Sequence, residues 1–345
     1  MKRGDIAEES LFLNNALVNS FYIRTVITII HQILKLIDLA VEKEIVDLSF
    51  VATVGFFDGV HIGHRYLIDQ VKREATRRGL PSAVITFPIH PRKVLQADYQ
   101  PALLCGFDEK VELLADTGID YCITLPFTPE LSRLSAKEFM QEVLKERLHL
   151  DALLVGYDHR FGRDREDSYP EYSHYGRELG MDVILAAELQ WGSNDVSSSQ
   201  IRRYLKAGRI KEANELLSYN YRLSGKIVEG YQVGRTIGYP TANMRVWERY
   251  KVVPELGVYA VMVHLRDLLY PGMLYIGRRP TLHTDNEISV EVNLFNFDGN
   301  LYNQSMSVEF IDFIRSDCKF DTKEELVAQI HQDKESVKQR LKIKK

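Results

Sequence analysis

A parallel α/β domain followed by an antiparallel β-barrel with a carboxyl-terminal helix is the architecture predicted by the 345-residue sequence. Three observations predict it. The stretch Val51-Ala-Thr-Val-Gly-Phe-Phe-Asp-Gly-Val-His-Ile-Gly-His64 runs from a β-branched apolar segment through a glycine turn into a helical pattern. From Tyr219 the texture changes to short alternating strands divided by glycines and polar turns, the mark of a barrel or sandwich. Thr322 to Leu341 then closes the chain with an amphipathic helix.

Each element follows in order. Tyr66, Leu67, Ile68 and Val71 give the first helix one buried face. Ser82-Ala-Val-Ile-Thr-Phe87 reads as a second buried strand with His90-Pro-Arg-Lys-Val-Leu95 at its end, and such a β-α-β unit places ligands over the carboxyl edge of a parallel sheet. Asp108 to Leu114 is helical, Asp120 to Pro126 a strand, and Ser135 to Leu148 a helix capped by Ser135 with Glu138 three residues on. Asp151-Ala-Leu-Leu-Val-Gly-Tyr-Asp-His-Arg-Phe-Gly162 brings a strand and its loop to the same edge, and Met181 to Ala186 adds a short strand. Arg202 to Leu217 forms a helix that ends the first domain. The expected bounds are an extension at 1–32, the α/β domain at 33–205, a helical linker at 206–218 and the barrel domain at 219–345.

Composition narrows the function classes. With 44 basic and 48 acidic residues, a formal charge of −4 and no long basic run outside the last few residues, nothing argues for nucleic acid as a partner. Cys105, Cys122 and Cys318 are odd in number and far apart, which fits reduced thiols of a cytoplasmic protein and neither a disulfide frame nor a zinc site. Leu11 to Leu39 is apolar but broken by Asn14, Asn15, Arg24, Lys35 and Asp38, too interrupted to span a membrane. Asp5, Glu8 and Glu9 also argue against a signal peptide, so residues 1–32 read as an extension outside the fold, ordered on docking or an artefact of start-site choice.

The turn at Gly55 to Gly59 aims backbone N–H groups and a helix dipole at whatever sits over the strand end, which suits a phosphate. His61 and His64, at i and i+3, can donate to the same anion. No Gly-Lys-Ser/Thr closes the loop, and the glycines do not fit the dinucleotide fingerprint. Taken alone, a His-x-x-His pair is ordinary surface or capping chemistry, or half of a metal site.

The Gly-Phe-Phe-Asp-Gly-Val-His form in front of Ile62-Gly-His64 resembles the HxGH nucleotidyltransferases, and among them the bacterial bifunctional riboflavin kinase/FMN adenylyltransferase (FAD synthetase) family. That resemblance covers roughly residues 33 to 341. It implies catalytic roles for His61, His64 and Arg202, with nucleotide and flavin contacts from Gly55, Phe56, Phe57, Asp58 and Gly59. By the pattern Val-Gly-x-Asn/Asp-Phe-x-Phe-Gly, Asp158, Phe161 and Gly162 join them, with His159 where Phe is common. Ser197, Ser198 and Ser199 match Ser-Ser-Thr-x-Ile-Arg with one hydroxyl residue exchanged, three hydroxyls ahead of a helix that can cap it and bind polyphosphate. Without a ligand these would be a charged loop and a serine N-cap.

In the second domain Gly230-Tyr-Gln-Val-Gly-Arg-Thr-Ile-Gly-Tyr-Pro-Thr-Ala-Asn243 matches each fixed position of the riboflavin-kinase signature. Gly230, Gly234 and Gly238 allow backbone to wrap a phosphate, Arg235 and Pro240 belong to the same pattern, and Thr241 and Asn243 offer neutral oxygens suited to Mg²⁺. Gly257 and Tyr259 fall in the segment that lines the flavin pocket of such kinases, and Glu291 is by resemblance the catalytic base, with Asn293 in place of the usual His. Leu301-Tyr-Asn-Gln304 replaces the usual Leu-Tyr-Gly-Lys, which puts the geometry of that turn in question. The resemblance implies ATP and riboflavin as substrates, FMN and FAD as products, a monomer or weak homo-oligomer, and no nucleic acid or membrane partner. Two rival readings are a chain in which the kinase alone is active and a non-catalytic flavin-binding regulator.

Overall fold

The computed structural model describes residues 34–41, 48–96, 98–191, 196–229, 237–278, 288–299 and 301–343. The extension expected at 1–32 lies outside them, as do Gly230, Gly234 and Arg235. By packing, the chain forms two units, one of residues up to Tyr99 with Phe107–Gln190, the other of Gln100–Gly106 with Trp191–Lys345.

In the first unit six strands form a wholly parallel sheet: β1 (Lys35–Asp38), β2 (Phe50–Val54), β3 (Ser82–Thr86), β4 (Tyr121–Thr124), β5 (Leu150–Val155) and β6 (Asp182–Leu185). Their order is β1-β4-β3-β2-β5-β6. Each residue of β2, β3 and β4 is buried, as expected of strands covered on both faces, and this explains their unbroken apolar runs. The chain steps from β2 outward to β3 and β4, then returns to add β5 on the other side. Order reverses between β2 and β5, and the crevice over their carboxyl ends is where such sheets hold ligands.

Helix α1 (Ile62–Arg78) is capped by His61 and stopped by Gly79, whose φ of 66° is cheap only for glycine. Helices α2 (Pro91–Leu95) and α3 (Phe107–Ala115) follow. The expected capping box of Ser135 and Glu138 starts α4 (Ala136–Glu138), which continues as a π-helix over Phe139–Arg147. Helix α5 (Tyr169–Leu179) is absent from the sequence reading because Pro170 and Gly176 depress helical propensity. Pro170 sits harmlessly in the first turn, and a Cβ on Gly176 would lie 2.5 Å from the Met181 carbonyl, so the glycine belongs to the turn into β6.

The expected helix Arg202–Leu217 is two helices, α6 (Ser198–Lys206) and α7 (Ile210–Leu217), because Gly208 takes φ 69° between them. They group with the second unit, although the sequence reading carries the first domain to residue 205. The physical reason is burial of Ile201, Tyr204 and Leu205 against α7, while the Leu205 carbonyl accepts from Glu255 N–H at 3.0 Å. Beyond them lies a closed barrel of β7 (Arg222–Val228), β8 (Ala242–Val246), β9 (Gly257–Leu265), β10 (Leu268–Arg278), β11 (Ile288–Leu294) and β12 (Ser305–Ser316), ordered β10-β11-β8-β7-β12-β9. Helix α8 (Lys323–Arg340) packs Val337 on Val258, Ala260, Met273 and Phe295. In the divergent turn after Leu301, Asn303 adopts φ 65°, the conformation a glycine would supply and Asn tolerates best among side-chain residues.

Cys105, Cys122 and Cys318 are all free, two buried and one exposed, and burial pushes the Cys122 thiol up to about 12. At the start of β9, Gly257 has φ 151° and its Cβ position lies 2.2 Å from the Arg315 carbonyl. Gly257→Ala should therefore destabilise the barrel by about 2 kcal/mol or more, read as a lower unfolding midpoint in denaturant.

Candidate active sites

In the first unit the chain leaves β2 through a turn that is unusually demanding of its backbone. Phe57 (φ 53°), Gly59 (φ 78°) and Val60 (φ 37°) all lie in the left-handed region. Phe57, Asp58 and Val60 are buried, and Phe57 folds its ring over Gly55, where a Cβ would meet it at 2.9 Å. Phe57 thus packs as the floor of the turn. Phe56 is turned the other way, its ring edge-on to His90 at 4.7 Å.

His61 ends the turn as the N-cap of α1, its Nδ1 accepting from the His64 N–H at 3.4 Å. A neutral ring so bonded carries its proton on Nε2. The rings of His61 and His64 stack with centroids 3.6 Å apart, and Phe57 meets His64 edge-on at 5.1 Å. Burial first, then the neighbouring His61 and Lys110, hold His64 well below its ordinary value, so it is a neutral imidazole near pH 7. Its Nδ1 is buried and makes no hydrogen bond among the described residues.

Lys110 has no place in the sequence reading. It lies on the buried face of α3 with Leu113 and Leu114, and donates from Nζ to the carbonyls of Phe56 (3.0 Å) and Phe87 (2.9 Å) and to Thr86 Oγ1 (3.2 Å). The available signal was a lysine in step with an apolar helical stripe.

The loop after β5 reaches the same edge of the sheet. Asp158 is exposed there, next to Gly156. Phe161 stacks on buried Tyr172 at 4.1 Å, and its N–H donates to the Tyr172 hydroxyl at 3.1 Å. Gly162 has φ 87°, and a Cβ on it would lie 2.6 Å from Ala136 N, so it clamps the loop onto the start of α4. Phe161 and Gly162 are therefore held by packing as well as being placed near the crevice. His159 is held by burial at about 4, and its buried Nε2 finds no partner among the described residues.

Ser197, Ser198, Ser199 and Arg202 group by packing with the second unit. Ser197 alone caps α6, accepting from Gln200 N–H at 3.2 Å, while Ser198 and Ser199 lie inside the first turn of the helix. Arg202 Nε donates to the Ala102 carbonyl, drawing the 100–106 segment onto α6.

On the barrel, Glu291 faces Asn243 across the β11–β8 ladder and Tyr275 across the β11–β10 ladder. Thr241 Oγ1 donates to Glu291 Oε2 at 3.1 Å. Two residues along β11, on the same face, buried Asn293 donates from Nδ2 to the Pro240 carbonyl at 2.7 Å, tying down the end of the signature loop. Gly238 in that loop has φ 83° and open space around it. Tyr275, opposite Glu291, donates to Asp317 at 2.9 Å, and its phenol is raised by burial and by that carboxylate. Thr241, Asn243, Glu291 and Asn293 so form one polar patch among apolar strands.

Tyr259 is not part of this patch. It is wholly buried, edge-on to Phe310 and Phe313, with its hydroxyl on the Glu255 carbonyl. β9 turns it into the barrel core, on Phe310 and Phe313, whereas the sequence reading expects it in the segment lining a ligand pocket. Gly257 is explained by its closeness to Arg315.

Known proteins share both halves. A family model described as FAD synthetase matches residues 44–200, and one described as riboflavin kinase matches 217–341. The bifunctional riboflavin kinase/FMN adenylyltransferase of Listeria monocytogenes is 36% identical over 293 residues, 85% of this chain and 92% of that protein. The chain belongs to the bifunctional riboflavin kinase/FMN adenylyltransferase family. The Escherichia coli K12 member is 36% identical over 284 residues, 82% of this chain and 90% of its own length. A solved structure titled as a macrolide-efflux protein from Streptococcus pneumoniae has the same fold, with a TM-score of 0.80 at 31% identity over 88% of this chain and 98% of that one. Family membership accounts for two sites of phosphate chemistry on one chain.

His159 yields a pH prediction. Its imidazole has an ordinary value of 6.5 when unfolded and about 4 when folded, so the folded state resists a proton that the unfolded chain accepts. Stability is full above 6.5 and falls as the pH drops toward 4. Between pH 7 and 5, His159→Phe should lose less unfolding free energy than the parent, by up to about 2 kcal/mol, measured by denaturant titration at both values.

Proposed function

We propose that His61 and His64 carry adenylyl transfer to FMN in the first unit and that Glu291 is the base of riboflavin phosphorylation in the second. The chain has both an FAD synthetase and a riboflavin kinase domain, so it makes FMN from riboflavin and ATP, then FAD and diphosphate from FMN and a second ATP. The reading in which only the kinase works is not favoured, since the histidine pair and its turn are intact. The supporting observation is a stacked His pair, its His64 ring held neutral by burial, at the β2–β5 reversal, where sheets of this order hold ligands.

In adenylyl transfer an FMN phosphate oxygen attacks the α-phosphorus of ATP and diphosphate leaves. The attacking group is already an anion, so no base is needed. What the site must supply is hydrogen-bond donors where negative charge builds. His61 Nε2–H at the helix N-terminus is such a donor, and neutral His64 gains proton affinity as a polyanion approaches.

In the kinase reaction the riboflavin 5′-hydroxyl attacks the γ-phosphorus, its proton passes to Glu291, and ADP leaves. Thr241 orients the carboxylate by donating to Oε2. Mg²⁺ fits the same patch, where Thr241 and Asn243 supply hard neutral oxygens for an ion that keeps most of its waters. When bound, it neutralises charge on the transferring phosphates. Among the described residues no helix is long and apolar enough to cross a membrane; our reading is of a cytoplasmic enzyme working as a monomer or weak homo-oligomer.

His61→Ala or His64→Ala should lower FAD formation from FMN on the order of 10²-fold while riboflavin phosphorylation stays near parental. Glu291→Gln should do the reverse, cutting the kinase kcat roughly 10² to 10⁴-fold with little change in riboflavin KM and leaving FAD formation from supplied FMN intact. Separating riboflavin, FMN and FAD by chromatography reads both; a loss of both activities in any one variant would contradict the assignment.

A further inference from the structure

Lys110 is 2% exposed, and the three acceptors around Nζ match the three donors of an ammonium group. Its tip also stands 4.2 Å from the centroid of the Phe56 ring. Burying a cation costs several kcal/mol even after relaxation, and a methionine would fill this space without that cost. Packing alone gives no reason for the charge.

The acceptors give one. They lie at the carboxyl ends of β2 and β3, and one of them, the Phe56 carbonyl, also accepts from Thr86 Oγ1 at 3.2 Å. No peptide bond among the described residues is cis. In a planar trans peptide the N–H points opposite to the C=O, so a fixed Phe56 carbonyl fixes the Phe57 N–H on the side away from Lys110. Phe57 then begins the left-handed turn that ends at His61.

We propose that Lys110 is a positioning residue of adenylyl transfer, locking the Phe56–Phe57 peptide so that its N–H and the His61–His64 pair present one rigid set of donors to the α-phosphate. Lys110 does not touch substrate itself. The inference rests on the reading that His61 and His64 serve this transfer. A second consequence follows from charge. The groups whose charge acts on His64 are His61 and Lys110, and both lower its proton affinity together with burial.

The test uses the full chain carrying Lys110→Met, with riboflavin phosphorylation as an internal check that the chain is folded. FAD formation from FMN should fall on the order of 10²-fold in kcat, with KM for ATP and FMN within about threefold, since donor alignment and not binding is lost. In the same variant the His64 ring should titrate at higher pH by NMR, whereas Thr86→Val, which keeps the Lys110 charge, should leave that titration where it is in the parent. If Lys110→Met does not fold, Thr86→Val takes its place. It removes the second donor to the Phe56 carbonyl and should lower kcat severalfold at unchanged KM. Parental kcat beside a slow His64→Ala overturns the positioning role alone. Parental kcat in His64→Ala overturns the reading beneath it, and the proposal with it.

Discussion

Three left-handed residues between Gly55 and His61 are the constraint on which the first site depends. Glycine accepts that conformation readily, but Phe57 and Val60 do not, and each such residue costs about 1–3 kcal/mol unless its surroundings hold it. Here they do. Phe57 and Val60 are buried, the Phe57 ring closes on the bare Cα of Gly55, and Lys110 grips the Phe56 carbonyl from below. Relaxing the turn would move His61 off the N-cap of α1 and dissolve its stack with His64. The strain is thus held by the sheet and recovered as alignment.

The barrel solves its problem differently. A strand alternates its side chains between two faces, so β11 can place Val290 and Val292 in the core while Ser289, Glu291 and Asn293 share the other face. Pairing across the ladder then brings Asn243 beside Glu291 with no special backbone. Hydrogen bonds from Thr241 and Asn293 tie the signature loop to that face. One site is made where strands end, the other along the side of one.

Most of the architecture was legible because its signals are local. Apolar runs marked β2 to β5, the serine–glutamate pair marked α4, and alternation marked the barrel strands. Helix α5 escaped because its Pro170 and Gly176 are explained only by first-turn placement and by the close approach of Met181, a tertiary fact. The single helix expected over Arg202–Leu217 failed at Gly208, whose positive φ a propensity count does not foresee. Within the sites, motif residues were visible because they recur in fixed patterns. Lys110 was not, since three acceptors on two other segments give it meaning, and the burial of Tyr259 was not, since the sense in which β9 faces depends on barrel closure.

Residues 100–106 belong with a body whose remaining residues begin some ninety positions later. Leu103 N–H donates to the Tyr250 carbonyl and its own carbonyl accepts from Val252 N–H, both at 2.8 Å, while Leu104 is wholly buried. The chain therefore passes from one unit to the other three times, and no single cut divides it. During synthesis this short segment emerges long before its partners exist, and it must wait while the sheet grows around its two flanks. A fragment beginning at residue 217 would lack Leu103, the bridge partner of Lys251, and would leave the Tyr250 carbonyl and Val252 N–H without the hydrogen bonds they make to it.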